Sequence, residues 1–83
     1  MTEADRTLLH SSLDKVVVLE LTDGSRLLVQ LLVIVDEEPT PDLFCTDVDP
    51  ATHVPIPNAG RSILLADITH VAAAPEPAAS EPK

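Results

Sequence analysis

Residues 25–36, "SRLLVQLLVIVD", decide how this chain folds, because the nine positions between Arg26 and Asp36 are apolar except for Gln30. Such a run sits in a chain of 83 residues with 14 acidic and 5 basic side chains, so the surrounding surface is charged and the run needs cover. Alternation separates its two faces as strands do. Leu27, Val29, Leu31, Val33 and Val35 share one wholly apolar face, opposite Arg26, Leu28, Gln30, Leu32, Ile34 and Asp36. A helix over 27–35 is the rival reading, but its apolar residues would surround it on all sides. The Asp23-Gly24 pair just upstream marks a tight turn instead. "KVVVLELTDGSRLLVQLLVIVD" (15–36) therefore reads as a β-hairpin, with Val17, Leu19 and Leu21 on one face of its first strand.

Outward from the hairpin, Thr2 to Ser11 predicts a short helix. Thr2 is its cap, Glu3 and Asp5 lie in the first turn, and Leu8 and Leu9 form a small apolar patch. "EEPTPD" (37–42) breaks the second strand with acids and prolines, and "LFCTDV" (43–48) is a third strand. "DPATHVPIPNAG" (49–60) predicts a loop, because its prolines cannot donate to a sheet ladder. "RSILLADITHVAAA" (61–74) predicts a fourth strand, a turn near Ala66-Asp67 and a fifth strand from Thr69. This divides the chain into a helix and lead-in (1–13), an all-β unit (14–74) and a Pro- and Ala-rich, disordered tail (75–83). Five short strands behind one helix point to a small closed barrel, whose closure would remove exposed edges. In it Leu28, Leu32 and Ile34 face outward, to be covered by the helix or by another subunit.

The pattern resembles the Sm-like family, which includes Sm, Lsm and Hfq proteins. "VVVLELTDGSRLLVQLLVIVDEEPTPDLFCTDV" (16–48) is similar to its first motif, through Val17, Leu19, Leu21, Asp23-Gly24 and Leu31, and "ILLADITHV" (63–71) to its second. The resemblance covers roughly residues 5 to 73. It implies an all-β, five-stranded, SH3-like small barrel of Sm-like type; a related SH3-like barrel, such as the C-terminal domain of ribosome maturation factors, is the competing resemblance. It further implies a homo-oligomer, with a ring as one form, joined at its fourth and fifth strands through Ile63, Leu64, Leu65 and Val71. Asp42, Asp67 and Arg61 are its implied nucleic-acid contacts. Three departures bear on function. Val29 stands where a bend-permitting glycine is usual, Asp42 replaces an asparagine, and Leu65-Ala66-Asp67 replaces Arg-Gly-Asp, removing an arginine that would stack on a base. Two functions stay open: an RNA-associated Sm-like assembly module, and a protein-interaction or structural oligomer without RNA.

The remaining chemistry is sparse. The formal net charge of -9 argues against a general polyanion binder, and DNA is not expected. Asp36, Glu37, Glu38 and Asp42 read as a solvated turn without calcium-loop spacing, and Asp47, Asp49 and His53 as surface loop residues, so no metal or cofactor is expected. Cys45, with His10, His53 or His70, is the one route to nucleophilic catalysis, yet it sits beside Phe44 in a strand pattern that suits a core side chain. The chain reads as no enzyme. Arg26 and Arg61 are the basic residues near the turns. The longest apolar stretch is too short for a membrane helix, which needs about 20 residues, and the acidic opening residues lack a signal-peptide core, so a cytoplasmic protein is expected.

Overall fold

The computed structural model describes residues 1–74; the tail expected over 75–83 lies outside them. Helix α1 (Glu3–Ser11) is followed by strands β1 (Val16–Leu21), β2 (Arg26–Val35), β3 (Asp42–Val48), β4 (Pro55–Leu64) and β5 (Ile68–Ala73), with a 3-10 turn at Leu65–Asp67. All five strands form one antiparallel sheet in the order β4-β3-β2-β1-β5.

The β1–β2 hairpin forms where Asp23-Gly24 predicts it. Gly24 takes a φ of 89°, a value that glycine adopts without steric cost, and the Asp23 carboxylate accepts from the Ser25 amide at 2.9 Å and hydroxyl at 2.6 Å. β2 then departs from simple alternation. Leu31 pairs with Cys45 but Val33 pairs with Phe44, so Leu32 is an extra residue, a β-bulge. Upstream of it Val29 and Leu31 are fully buried. Downstream the faces exchange: Ile34 packs on the core, while Val33 and Val35 are 50% and 43% exposed. Ile34 is thus not an outward residue. The bend that Val29 denies to a glycine is made three residues later by the bulge.

β4 begins at Pro55, six residues before the predicted start at Arg61. Three residues on β3 (46 to 48) face six on β4 (55 to 60), because Thr46 pairs with Gly60 and Val48 with Pro55. The surplus bulges out, with Asn58 at a φ of 63°. Prolines are tolerated because β4 is an edge, where a missing N–H on the open side leaves no ladder bond unmade.

Closure is the larger correction. Edges β4 and β5 are not paired with each other, so the sheet is curled but open. The 3-10 turn carries the chain across the fold instead of alongside β4. The Leu65 amide bonds to the Pro41 carbonyl at 3.0 Å, the Asp67 carbonyl accepts from Thr22 N–H at 2.9 Å, and β5 pairs with β1. Bulges curve the sheet enough for Leu9, Val17, Leu19, Val29, Leu31, Leu43, Cys45, Ile63, Leu65, Ile68 and Val71 to form one core.

Helix α1 supplies Leu9, which is fully buried. Its first turn has a capping box: Thr2 Oγ1 accepts from Asp5 N–H at 3.1 Å, and Asp5 Oδ2 accepts from Thr2 N–H at 3.0 Å. Asp5 Oδ1 also accepts from the Val71 amide on β5 at 3.1 Å, and at the other end Arg6 and His10 meet Asp36 at 2.7 and 3.1 Å. These bonds hold the Asp5 carboxyl well below the usual range, chiefly through the Thr2 hydroxyl and the Val71 amide, and Arg6 and His10 lower Asp36 likewise.

Two outcomes follow from this packing. Strict alternation makes Val33 the buried residue, whereas the bulge makes it Ile34. Ile34→Asp should lower the urea midpoint by the equivalent of roughly 2 kcal/mol or more, and Val33→Asp by under about 1 kcal/mol. The reverse ranking would remove the bulge from the argument. Because Asp5 and Asp36 have folded pKa values below their unfolded ones, their contribution is present above about pH 4 and is lost as pH falls further. Thermal melts from pH 7 to pH 3 should show Tm dropping on that acid limb, and Asp5→Ala should lower Tm at pH 7 while flattening the limb.

Candidate functional site

The three residues implied as nucleic-acid contacts stand on three different elements, Asp42 on β3, Arg61 on β4 and Asp67 in the 3-10 turn. Asp42 stands on the outer face in a cross-strand row with Val35 and Leu64. Arg61 lies opposite Cys45 at the margin of the inner face, and its Nη2 bonds Asp47 Oδ2 at 2.7 Å, so its charge is already matched. Asp67 bonds Thr22 through its main-chain carbonyl. The segments carrying Asp42 and Asp67 do meet, through the Leu65 amide and the Pro41 carbonyl. Of the four residues implied at an oligomer joint, Ile63, Leu65 and Val71 are buried in the core, and Leu64 is 44% exposed.

The loop carboxylates are used locally. Asp49 Oδ1 accepts from the Ala51 amide at 2.7 Å, and the His53 amide donates to the Asp49 carbonyl at 2.6 Å, which closes a tight turn with His53 at a φ of 61°. Asp47 faces Arg61, and Asp36 faces Arg6 and His10. Among the described residues no three His, Cys, Asp or Glu side chains are grouped to hold a metal ion. Cys45 is buried, and burial pushes its thiol up to about 11, the opposite of what a nucleophile needs. The histidines are placed elsewhere: His10 on Asp36, His70 on Asp5, and His53 in its turn.

Two surfaces remain. The first borders the β4 edge. Val33 and Phe44 face each other across β2 and β3, with Val35 and Leu64 in the next row, each between 42% and 50% exposed. The Phe44 ring lies over Gly60, where an added Cβ would come within 2.7 Å of its Cζ; only a glycine leaves that seat open. Sequence alternation misses Val33 and Val35, because nothing in the letters marks Leu32 as the extra residue.

The second is a shallow open cavity of about 230 Å³ on the outer face of β1, β2 and β5, lined by Val18, Glu20, Arg26, His70 and Ala72. Arg26, Glu20 and His70 form one cross-strand row. Leu28, Val18 and Ala72 form the next, and the hollow exists because Ala72 contributes only a methyl group. The four ion pairs among the described residues use Arg6, His10, Arg61 and His70, so Arg26 is not in one.

Comparison with known proteins finds no family model, curated protein or solved structure that matches this chain.

Proposed function

We propose that this protein is an assembly module of Sm-like type, which joins copies of itself by pairing the β4 edge of one subunit with the β5 edge of the next. The observation that carries this reading is an edge strand left open beside uncovered apolar side chains. β4 has a partner on one side alone, and Val33, Val35, Phe44 and Leu64 stand exposed next to it. An isolated subunit would leave both an unpaired ladder and this patch in water, which is a known hazard for aggregation. A neighbouring strand satisfies the main chain and covers the patch at once. The order β4-β3-β2-β1-β5, with the helix before it and a short turn between β4 and β5, supports the Sm-like reading, since it leaves those two strands as the edges.

RNA enters this reading without its usual cation. Arg61 is matched by Asp47, and Leu65 occupies the place of the stacking arginine. The protein acts first as an oligomeric scaffold, and its neighbours are further copies of the chain.

Size exclusion with light scattering tests the assembly. The wild-type chain should run as a discrete multimer. Phe44→Asp with Leu64→Asp should run as a monomer with unchanged circular dichroism, since each buried apolar side chain is worth about 1.5–3 kcal/mol and the added charges repel. A monodisperse wild-type monomer at high concentration would sink the reading. For RNA, titration with oligo-uridine and oligo-adenosine at low salt should give no steeply salt-dependent binding.

A further inference from the structure

We infer that the first turn of α1 is an autoinhibitory latch on assembly: Asp5 occupies a main-chain donor on the β5 edge that the β4 strand of a second copy needs, and it must let go before a joint forms there. This rests on the proposed β4–β5 joint and names what regulates it.

The contact lies on the open edge. β5 pairs with β1 alone, and the Val71 N–H on its other side donates to Asp5 Oδ1 at 3.1 Å. Peptide groups alternate in direction along a strand, so the six residues of β5 offer about three outward N–H groups. Val71 supplies one of them. The strand that would arrive is short of donors itself, because Pro55 and Pro57 on β4 have carbonyls but no N–H. An edge poor in donors depends on those of β5, and the latch withholds one.

Two physical differences set the balance. A carboxylate accepts more strongly than the carbonyl that would replace it, since charge-assisted hydrogen bonds are roughly twice as strong as neutral ones. The carboxylate is also tethered, so it competes at an effective concentration on the order of mM against a free second copy. The latch therefore wins in dilute solution. The joint, with its further ladder bonds and apolar cover, wins as the chain is concentrated. Release leaves the helix folded. Asp5 Oδ2 keeps its bond to the Thr2 amide at 3.0 Å, Leu9 stays buried, and Arg6 and His10 stay on Asp36. A small shift of the first turn is enough, and it also parts Asp5 Oδ2 from His70 Nδ1, 3.4 Å away on β5.

Sedimentation velocity of the full chain over a dilution series tests the latch, with the variants Asp5→Ala, Asp5→Asn and Thr2→Ala. Asp5→Ala should move the midpoint of assembly to roughly tenfold lower concentration, as expected for losing one competing hydrogen bond to a charged group. The Tm of its dissociated chain should fall at the same time. Asp5→Asn keeps a weaker, neutral acceptor and should move the midpoint the same way by about threefold. Thr2→Ala weakens the cap but leaves Asp5 Oδ1 to Val71, so it should lower Tm with a midpoint within about twofold of wild type. A contact that merely stabilises the fold would act in the opposite sense, weakening assembly along with Tm. A midpoint unchanged or raised in both Asp5 variants overturns the latch. The carboxyl-carbon resonance of Asp5 gives a second reading in the wild-type chain, because it should move as joints form. A resonance fixed from monomer to multimer overturns the latch as well. Assembly abolished by Phe44→Asp with Leu64→Asp yet indifferent to Asp5 refutes the latch alone, whereas a monomer in every variant refutes the joint too.

Discussion

One extra residue in one strand governs this structure. A sheet that must wrap a core of a dozen small aliphatic side chains has to bend sharply, and β2 has no glycine with which to do so. The bulge at Leu32 provides the bend and exchanges the faces of the strand in the same step. Ile34 thereby reaches the core, while Val33 and Val35 are turned toward water beside Phe44. The curl that unites Ile63 of β4 with Ile68 of β5 in one core draws also on the irregularities at Glu20/Leu21 and Thr46/Val48, while the exposure of Val33 and Val35 in the outer patch is a consequence of this insertion.

What could be read from the letters was whatever depends on local chemistry. Asp23-Gly24 announces its turn because the glycine needs positive φ and the aspartate bonds its own backbone two residues on. Thr2 announces its helix through the side-chain cap. What could not be read depends on partners distant in the chain. Pro55 and Pro57 look like loop residues until β4 is known to be an edge. The face of Val33 is invisible because a bulge is a property of two strands, and both have β-forming sequences with or without it. Closure failed as an expectation for a similar reason. Whether β5 lies beside β4 depends on the 3-10 turn, and its anchors at Pro41 and Thr22 come from other parts of the chain. Arg61 read as free because its match with Asp47 is made fourteen residues away across a strand pair.

Net charge gives a misleading picture of this surface. Many of its acids are structural acceptors: Asp5 on Thr2 and Val71, Asp23 on Ser25, Asp36 on Arg6 and His10, Asp47 on Arg61, and Asp49 on Ala51. Two of the three arginines are used in the same way, with Arg6 and Arg61 bound to carboxylates. A chain that commits two of its three arginines to its own acids has few cations left with which to hold a phosphate backbone. That is the physical reason for proposing a self-assembling scaffold here in place of a polyanion binder.

The two sheet edges are not equivalent, and the difference bears on how copies could meet. The β5 edge has already lost one donor, since the Val71 amide is held by Asp5 of the helix. The β4 edge has no such cover among the described residues, and its residues are nearly all exposed. A joint between unlike edges therefore brings a bare strand against a partly capped one. The incoming β4 must pair with β5 around the Asp5 bond or displace it, and displacement would release Asp5 Oδ1 from β5 while Oδ2 still closes the capping box of α1. Helix docking and edge pairing thus compete for the Val71 N–H, and they are compatible only if the neighbour uses the donors and acceptors of β5 on either side of it.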